Sequence, residues 1–178
     1  MSAQKKTWDL TLYSIGHSNH TVGEFVSLLQ LFDIACIIDV RSVPYSKYNK
    51  QFTKEDLEAE LLRSQLEYIW MGDSLGGRRL NLMSDFGFRE DDKYIEDKQY
   101  RAGLVELMRK GLRKTTAIMC SEEDPRDCHR HKIITQSLLL KKIPECDKLD
   151  SIKILHIRGN GKAEDALSIP FIAQPPLF

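Results

Sequence analysis

The chain has no surplus of charge of either sign: its 178 residues carry 26 Lys+Arg against 26 Asp+Glu. No global field therefore draws it to nucleic acid or to an anionic membrane, and only local basic patches remain open. Cysteine is sparse. Cys36, Cys120, Cys128 and Cys146 are too few and too scattered for a secreted disulfide framework, so a cytoplasmic protein with reduced thiols is expected. Long apolar runs are missing as well. The opening stretch MSAQKKTWDLTLYSIG holds no signal-peptide core, and nothing later approaches a membrane span, which predicts no membrane partner. No repeat recurs at a fixed period and no low-complexity linker divides the chain, so a single domain over residues 1–178 is expected.

What is present alternates. Leu10–Ser14 reads as a strand, Thr21–Phe32 as a helix, and Ile34–Val40 (IACIIDV) as a strand covered on both faces. Thr53–Leu66 reads as a helix that Thr53 and Asp56 start with a capping box and that buries Leu57, Leu61 and Leu62. Glu67–Met71 is a third strand. Asp97–Lys114 is a long helix with Leu104, Leu107, Met108 and Leu112 on its apolar face. Thr116–Cys120 is a fourth strand, Pro125–Lys142 a helix and Ile152–Ile157 a fifth strand. This alternation predicts an α/β fold: a mainly parallel sheet of about five strands with helices on both faces. Gly72–Tyr94 has no clear period and reads as a binding loop or lid, and the apolar tail IPFIAQPPLF as a segment packed across the body.

Ligands of open α/β sheets bind beyond the carboxyl ends of the strands. In this order of elements that edge collects His17 and Ser18 after the first strand, Asp39 and Arg41 after the second, and Gly76, Gly77 and Arg78 after the third. It also collects Cys120, Glu122, Cys128, His129 and Arg130 after the fourth, and Arg158 after the fifth. Asp124 before Pro125 suits a helix N-cap followed by proline at the first helical position, which puts Cys128 in the first or second turn.

These motifs, IGHS at 15–18, DVRS with Pro44 at 39–44, LGGR at 75–78 and C-x-E-x5-C-H-R at 120–130, resemble those of the bacterial and archaeal domain of unknown function 488 family. The resemblance implies a single α/β domain with these motifs as its shared features, and it implies no particular reaction or cofactor.

The leading chemical reading is a thiol-based enzyme acting on a small anionic or nucleotide-like substrate. Cys120 is its nucleophile, Cys128 a second or resolving thiol, and His17 or Glu122 the proton carrier. Ser18, Asp39, Arg41, Gly76, Gly77, Arg78, His129 and Arg130 are the candidates for holding the substrate, the arginines through their planar forks. Asp39 and Arg41 have a plainer reading as a structural ion pair, and Gly76–Gly77 as a tight turn. Cys120 to Arg126 also fits the C-x5-R spacing of a phosphate loop, but SEEDP brings three acids where such a loop needs backbone N–H groups. A second reading is a binding module that recognises a nucleotide, nucleic acid or partner without turnover. A third is a metal protein using Cys120, Cys128 and a histidine. It ranks below the thiol reading because C-x7-C lacks the short spacing of closed zinc sites, so no residue is assigned as a metal ligand from spacing. His156 is read as incidental, and Cys36 and Cys146 as structural or surface residues.

Overall fold

The computed structural model describes residues 8–78 and 93–170; residues 79–92 of the aperiodic Gly72–Tyr94 segment and the tail from residue 171 lie outside them. Six strands are present: β1 (Trp8–Gly16), β2 (Cys36–Asp39), β3 (Glu67–Trp70), β4 (Thr116–Cys120), β5 (Leu149–Ile157) and β6 (Ala163–Asp165). They form one sheet in the order β3-β2-β4-β1-β5-β6. Every neighbouring pair is parallel except β5 with β6. The expected α/β architecture is thus observed, with one strand added. β6 is only three residues, AED, and too short and polar to leave a period in the sequence.

The continuous apolar runs exist because both faces of the sheet are covered. Cys36, Ile38, Ile118 and Cys120 point to one face, where they pack with Tyr100, Leu104, Leu107, Ile134 and Leu138. Ile37, Ala117 and Met119 alternate to the other, against Phe25, Leu29, Leu57 and Leu61. Each such fully buried large apolar side chain contributes about 1.5–3 kcal/mol, and period-two alternation feeds both layers.

The helices of the second layer are α1 (Val22–Leu31) and α2 (Lys54–Arg63); the first layer is built by α3 (Gly72–Leu75), α4 (Lys93–Glu96), α5 (Lys98–Gly111) and α6 (Gln136–Leu139). The capping box belongs to α1, where Thr21 and Glu24 exchange hydrogen bonds; at α2 the Thr53 side chain makes no capping bond. Leu62 is 74% exposed and Leu112 41%, against the expected burial of both. Leu57 and Leu61, four apart, fill the stripe of α2, and Leu62 lies about 100° further round.

The largest departure is the stretch expected to be one helix over Pro125–Lys142. Asp124 does cap it, but the first turn is 3-10 (Pro125–Asp127) and ends at Cys128 in an extended conformation, φ −121° and ψ 141°. A π-helix over Arg130–Thr135 follows, and α6 completes it. Cys128 is therefore a break between two short helices rather than a helical residue. The wide π turn is a form often found at functional sites. Among the described residues no helix is long and apolar enough to cross a membrane.

Candidate functional site

Strand ends come into line at the carboxyl edge because the parallel register pairs Gly16 with Cys120 and Asp39 with Met119 and Trp70. The chain after β2 runs to the α2 layer and the chain after β4 to the opposite layer, so a crevice opens between them. The cleft there has a volume of about 690 Å³ and is lined from three loops. Arg41 to Tyr48 follow β2, Gly77 and Arg78 follow α3, and Cys120, Glu122, Cys128, His129 and Lys132 follow β4.

At its floor Cys120, Cys128 and His129 bring one donor atom each to within 4.8 Å of one another. Nδ1 of His129 is 3.8 Å from both sulfurs, and the thiol of Cys120 donates to Oε2 of Glu122 at 3.2 Å. Nε2 of His129 is buried without a hydrogen-bond partner. Gly77 lies against this imidazole so closely that an added Cβ would stand 3.0 Å from Nδ1, which explains a glycine there by close approach.

The two thiols are not equivalent. The hydrogen bond with Cys128, then burial and the charge of Glu122, push Cys120 well above the ordinary cysteine range. Burial also pushes Cys128 upward, but hydrogen bonds from Cys120 and His129 and the charge of Arg130 outweigh it, and Cys128 falls well below that range. The surroundings thus favour ionisation of Cys128 over Cys120, the residue the sequence offers as nucleophile.

Arg130 reaches the same site from beneath. Its side chain is completely buried, and the guanidinium donates to Ser14 Oγ at 3.2 Å, to the carbonyl of Glu122 at 2.5 Å and to that of Glu123 at 2.8 Å. Its donors hold the loop that carries Glu122. Ser14 continues inward to His156 Nδ1 at 2.6 Å, and His156 Nε2 to His131 Nδ1 at 3.0 Å. One proton arrangement satisfies the series: Arg130 donates to Ser14, Ser14 to His156, and His156 to His131. His156, expected to be incidental, is fully buried and held neutral, its pKa lowered to about 3 by burial and then by the neighbouring His131 and arginine charges.

Arg41 lines the cleft but is 4% exposed, and its guanidinium is engaged. Nε and Nη2 bind the carboxylate of Asp39 at 2.6–3.1 Å, and Nη1 donates to the Phe52 carbonyl at 2.8 Å. Asp39 is wholly buried and also accepts from Tyr68 Oη at 2.7 Å. His17 lies beside this pair, below the cleft lining. Nδ1 donates to the Ser18 carbonyl at 2.9 Å, Nε2 faces Arg41 Nη1 at 3.4 Å, and the ring stacks on Phe52 at 4.3 Å. Burial, helped by the Arg41 charge, lowers its pKa to about 4, so it is neutral near pH 7.

Ser18 sits next to the cleft wall with φ 45°, its carbonyl taken by His17 and Asn49. Gly76 is packed under Ser42, and the backbone N–H of Arg78 donates to Ser42 Oγ at 2.9 Å. Arg158 pairs with Glu123 at 2.9 Å and Glu164 at 3.2 Å. Cys36 and Cys146 are buried elsewhere, and burial first raises each to about 11.

Sequence reasoning missed the wall formed by Tyr45, Lys47 and Tyr48, and Lys132 opposite. A signal was there, since aromatic and basic residues interleave in PYSKYNK (44–50), but it had no period to attract attention.

No curated protein and no solved structure matches this chain. The family model for the domain of unknown function DUF488 matches residues 21–136, which takes in the DVRS, LGGR and C-x-E-x5-C-H-R motifs and leaves IGHS just outside. The chain belongs to the DUF488 family.

Proposed function

We propose that the protein is a metal-dependent hydrolytic enzyme in which Cys120, Cys128 and His129 hold a zinc-like ion and Glu122 carries the proton. The observation that carries this reading is His129 Nδ1 at 3.8 Å from both sulfurs. Metal–ligand bonds of about 2.3 Å to sulfur and about 2.0–2.1 Å to nitrogen put a tetrahedral sulfur and nitrogen roughly 3.6 Å apart, close to the two distances from Nδ1, and the three donor atoms lie within 4.8 Å of one another. A direct N–H···S bond is weak at that length, so Nδ1 is poorly satisfied without a ligand between it and the sulfurs. Two thiolates and one imidazole suit zinc among common ions.

Three protein ligands leave a fourth position, as catalytic zinc sites do, and here it would face the cleft. The ion would supply an activated water, its pKa brought to about 7. Glu122, whose Oε2 stands 3.2 Å from the Cys120 sulfur beside the cluster, would be the residue placed to accept and return a proton there. Metal binding removes the proton of Cys120, the more strongly protonated thiol, so loading depends on pH.

A second reading keeps the thiol chemistry, with Cys128 as thiolate and Cys120 as its partner; it is favoured by the lowered Cys128 thiol and by sulfurs lying within 4.8 Å. One experiment separates the two. Elemental analysis of freshly purified protein, with zinc titration after chelation, is expected to give about one zinc per chain. Cys120→Ser, Cys128→Ser and His129→Ala should lose it, and Glu122→Gln should keep it. Bound zinc should also shield Cys120 and Cys128 from alkylation, with Cys36 and Cys146 reacting only after denaturation. A chain that takes up no zinc and forms a Cys120–Cys128 disulfide under mild oxidant overturns the metal reading in favour of the thiol one.

A further inference from the structure

We infer that the cleft takes a phosphorylated nucleoside, free or as one unit of a single strand, with the base on the Tyr45–Tyr48 wall and the phosphate among Lys47, Arg78 and Lys132. The inference rests on the proposed metal site only for where the reacting centre lies. Tyr45 is 61% exposed and Tyr48 90% exposed, although both line the cleft. Two large aromatic faces left in water at the mouth of a site are a stacking platform of the kind that holds nucleobases regardless of their identity. Lys47 stands between them in sequence, Arg78 follows α3, and Lys132 comes from the π-helix.

These three cations line the cleft together with Glu122 and Asp127, in a chain whose 26 basic and 26 acidic residues balance. Arg41 is left out of the count because Asp39 already neutralises it, and Lys132, which has an interaction of its own, lines the cleft but is not counted as open. Neither Lys47 nor Arg78 has an acidic partner among the described residues. A local basic rim in a neutral protein favours a ligand with one or a few phosphates over a long polyanion, whose affinity would need many such contacts. Volume points the same way. About 690 Å³ falls in the range of small-molecule sites and has no room for a duplex.

The test uses zinc-loaded protein and calorimetric titration with adenosine and thymidine 5′-monophosphates, the two nucleosides, ribose 5-phosphate and a 5′-phosphorylated tetranucleotide. Nucleotide should bind saturably, with nucleoside and ribose phosphate each at least about tenfold weaker. Tyr48→Ala, at an exposed position that leaves the fold intact, should weaken the nucleotide about tenfold and ribose phosphate little. Lys47→Ala should weaken both phosphate-bearing ligands. Tighter binding of the tetranucleotide assigns the ligand to a single strand, and equal or weaker binding to a free nucleotide. Equal affinity for nucleotide and ribose phosphate, or no response to Tyr45→Ala and Tyr48→Ala, overturns the inference. Metal content measured on the same samples keeps the two proposals apart. Zinc-loaded protein that binds no nucleotide sinks this inference alone, and metal-free protein that binds nucleotide sinks the metal site alone.

Discussion

The guanidinium of Arg130, fully buried, donates to the main-chain carbonyl of Glu122 at 2.5 Å. The bond ties the π-helix after Cys128 to the loop after Cys120, so the two halves of the thiol–imidazole cluster are positioned by one side chain. Arginine suits this role because its planar fork satisfies two adjacent carbonyls and the Ser14 hydroxyl at once.

Arg130→Met should therefore act first on stability. It removes the donor from two part-buried carbonyls and from the buried Ser14 hydroxyl, so a loss of roughly 1–3 kcal/mol is expected in urea unfolding. Zinc affinity should fall with it, since Glu122 and the cysteine loop lose their brace. An unchanged urea midpoint would show that Arg130 is not the brace described.

Arg41→Ala tests whether this cleft-lining cation belongs to structure or to ligand binding. It leaves the Asp39 carboxylate buried with only Tyr68 and a backbone N–H, and breaking a buried pair costs about 3–5 kcal/mol. The melting temperature should drop markedly. Affinity for a phosphate-bearing ligand, measured below the transition, should change less than with Lys47→Ala. The opposite ranking would return Arg41 to the ligand.

Gly16→Ala tests the approach of two strand ends. A Cβ at Gly16 would lie 1.8 Å from the carbonyl oxygen of Glu122 and 2.9 Å from Cα of Glu123, so main chain has to move. Added bulk in a packed site costs about 1–3 kcal/mol, and here it displaces the loop bearing Glu122. Reduced stability with weaker zinc binding is expected. Gly23→Ala, where a Cβ meets nothing within 4 Å, is the control and should be neutral or slightly stabilising.

The buried His156 gives a pH dependence with a definite sign. Its pKa falls from 6.5 to about 3 on folding, so between those values the unfolded chain binds the extra proton. Its contribution is complete above pH 6.5 and is lost as pH falls toward 3, with a slope of up to about 1.4 kcal/mol per pH unit. Urea midpoints measured from pH 7 to 4 should fall, and His156→Gln should flatten part of the decline. An equal decline in the variant assigns the acid sensitivity to other groups.

The order of strands and helices, the two-sided burial of IACIID and the gathering of motifs at one edge were legible in the sequence alone. They follow from local periodicity and from the parallel strands that alternating elements impose. The break at Cys128 was not legible, since Asp124–Pro125 and the apolar spacing beyond it both read as one helix. Only packing of Arg130 beneath the loop, and of His131 against His156 on β5, requires the 3-10 turn, the extended cysteine and the π-helix. The distinction between Arg41 and Arg130 as buried braces and Lys47 and Arg78 as cleft cations likewise belongs to the tertiary structure. An arginine's spacing says where its Cα lies, but the function of its guanidinium depends on which carboxylates, carbonyls or solvent lie within reach after the chain has closed around it.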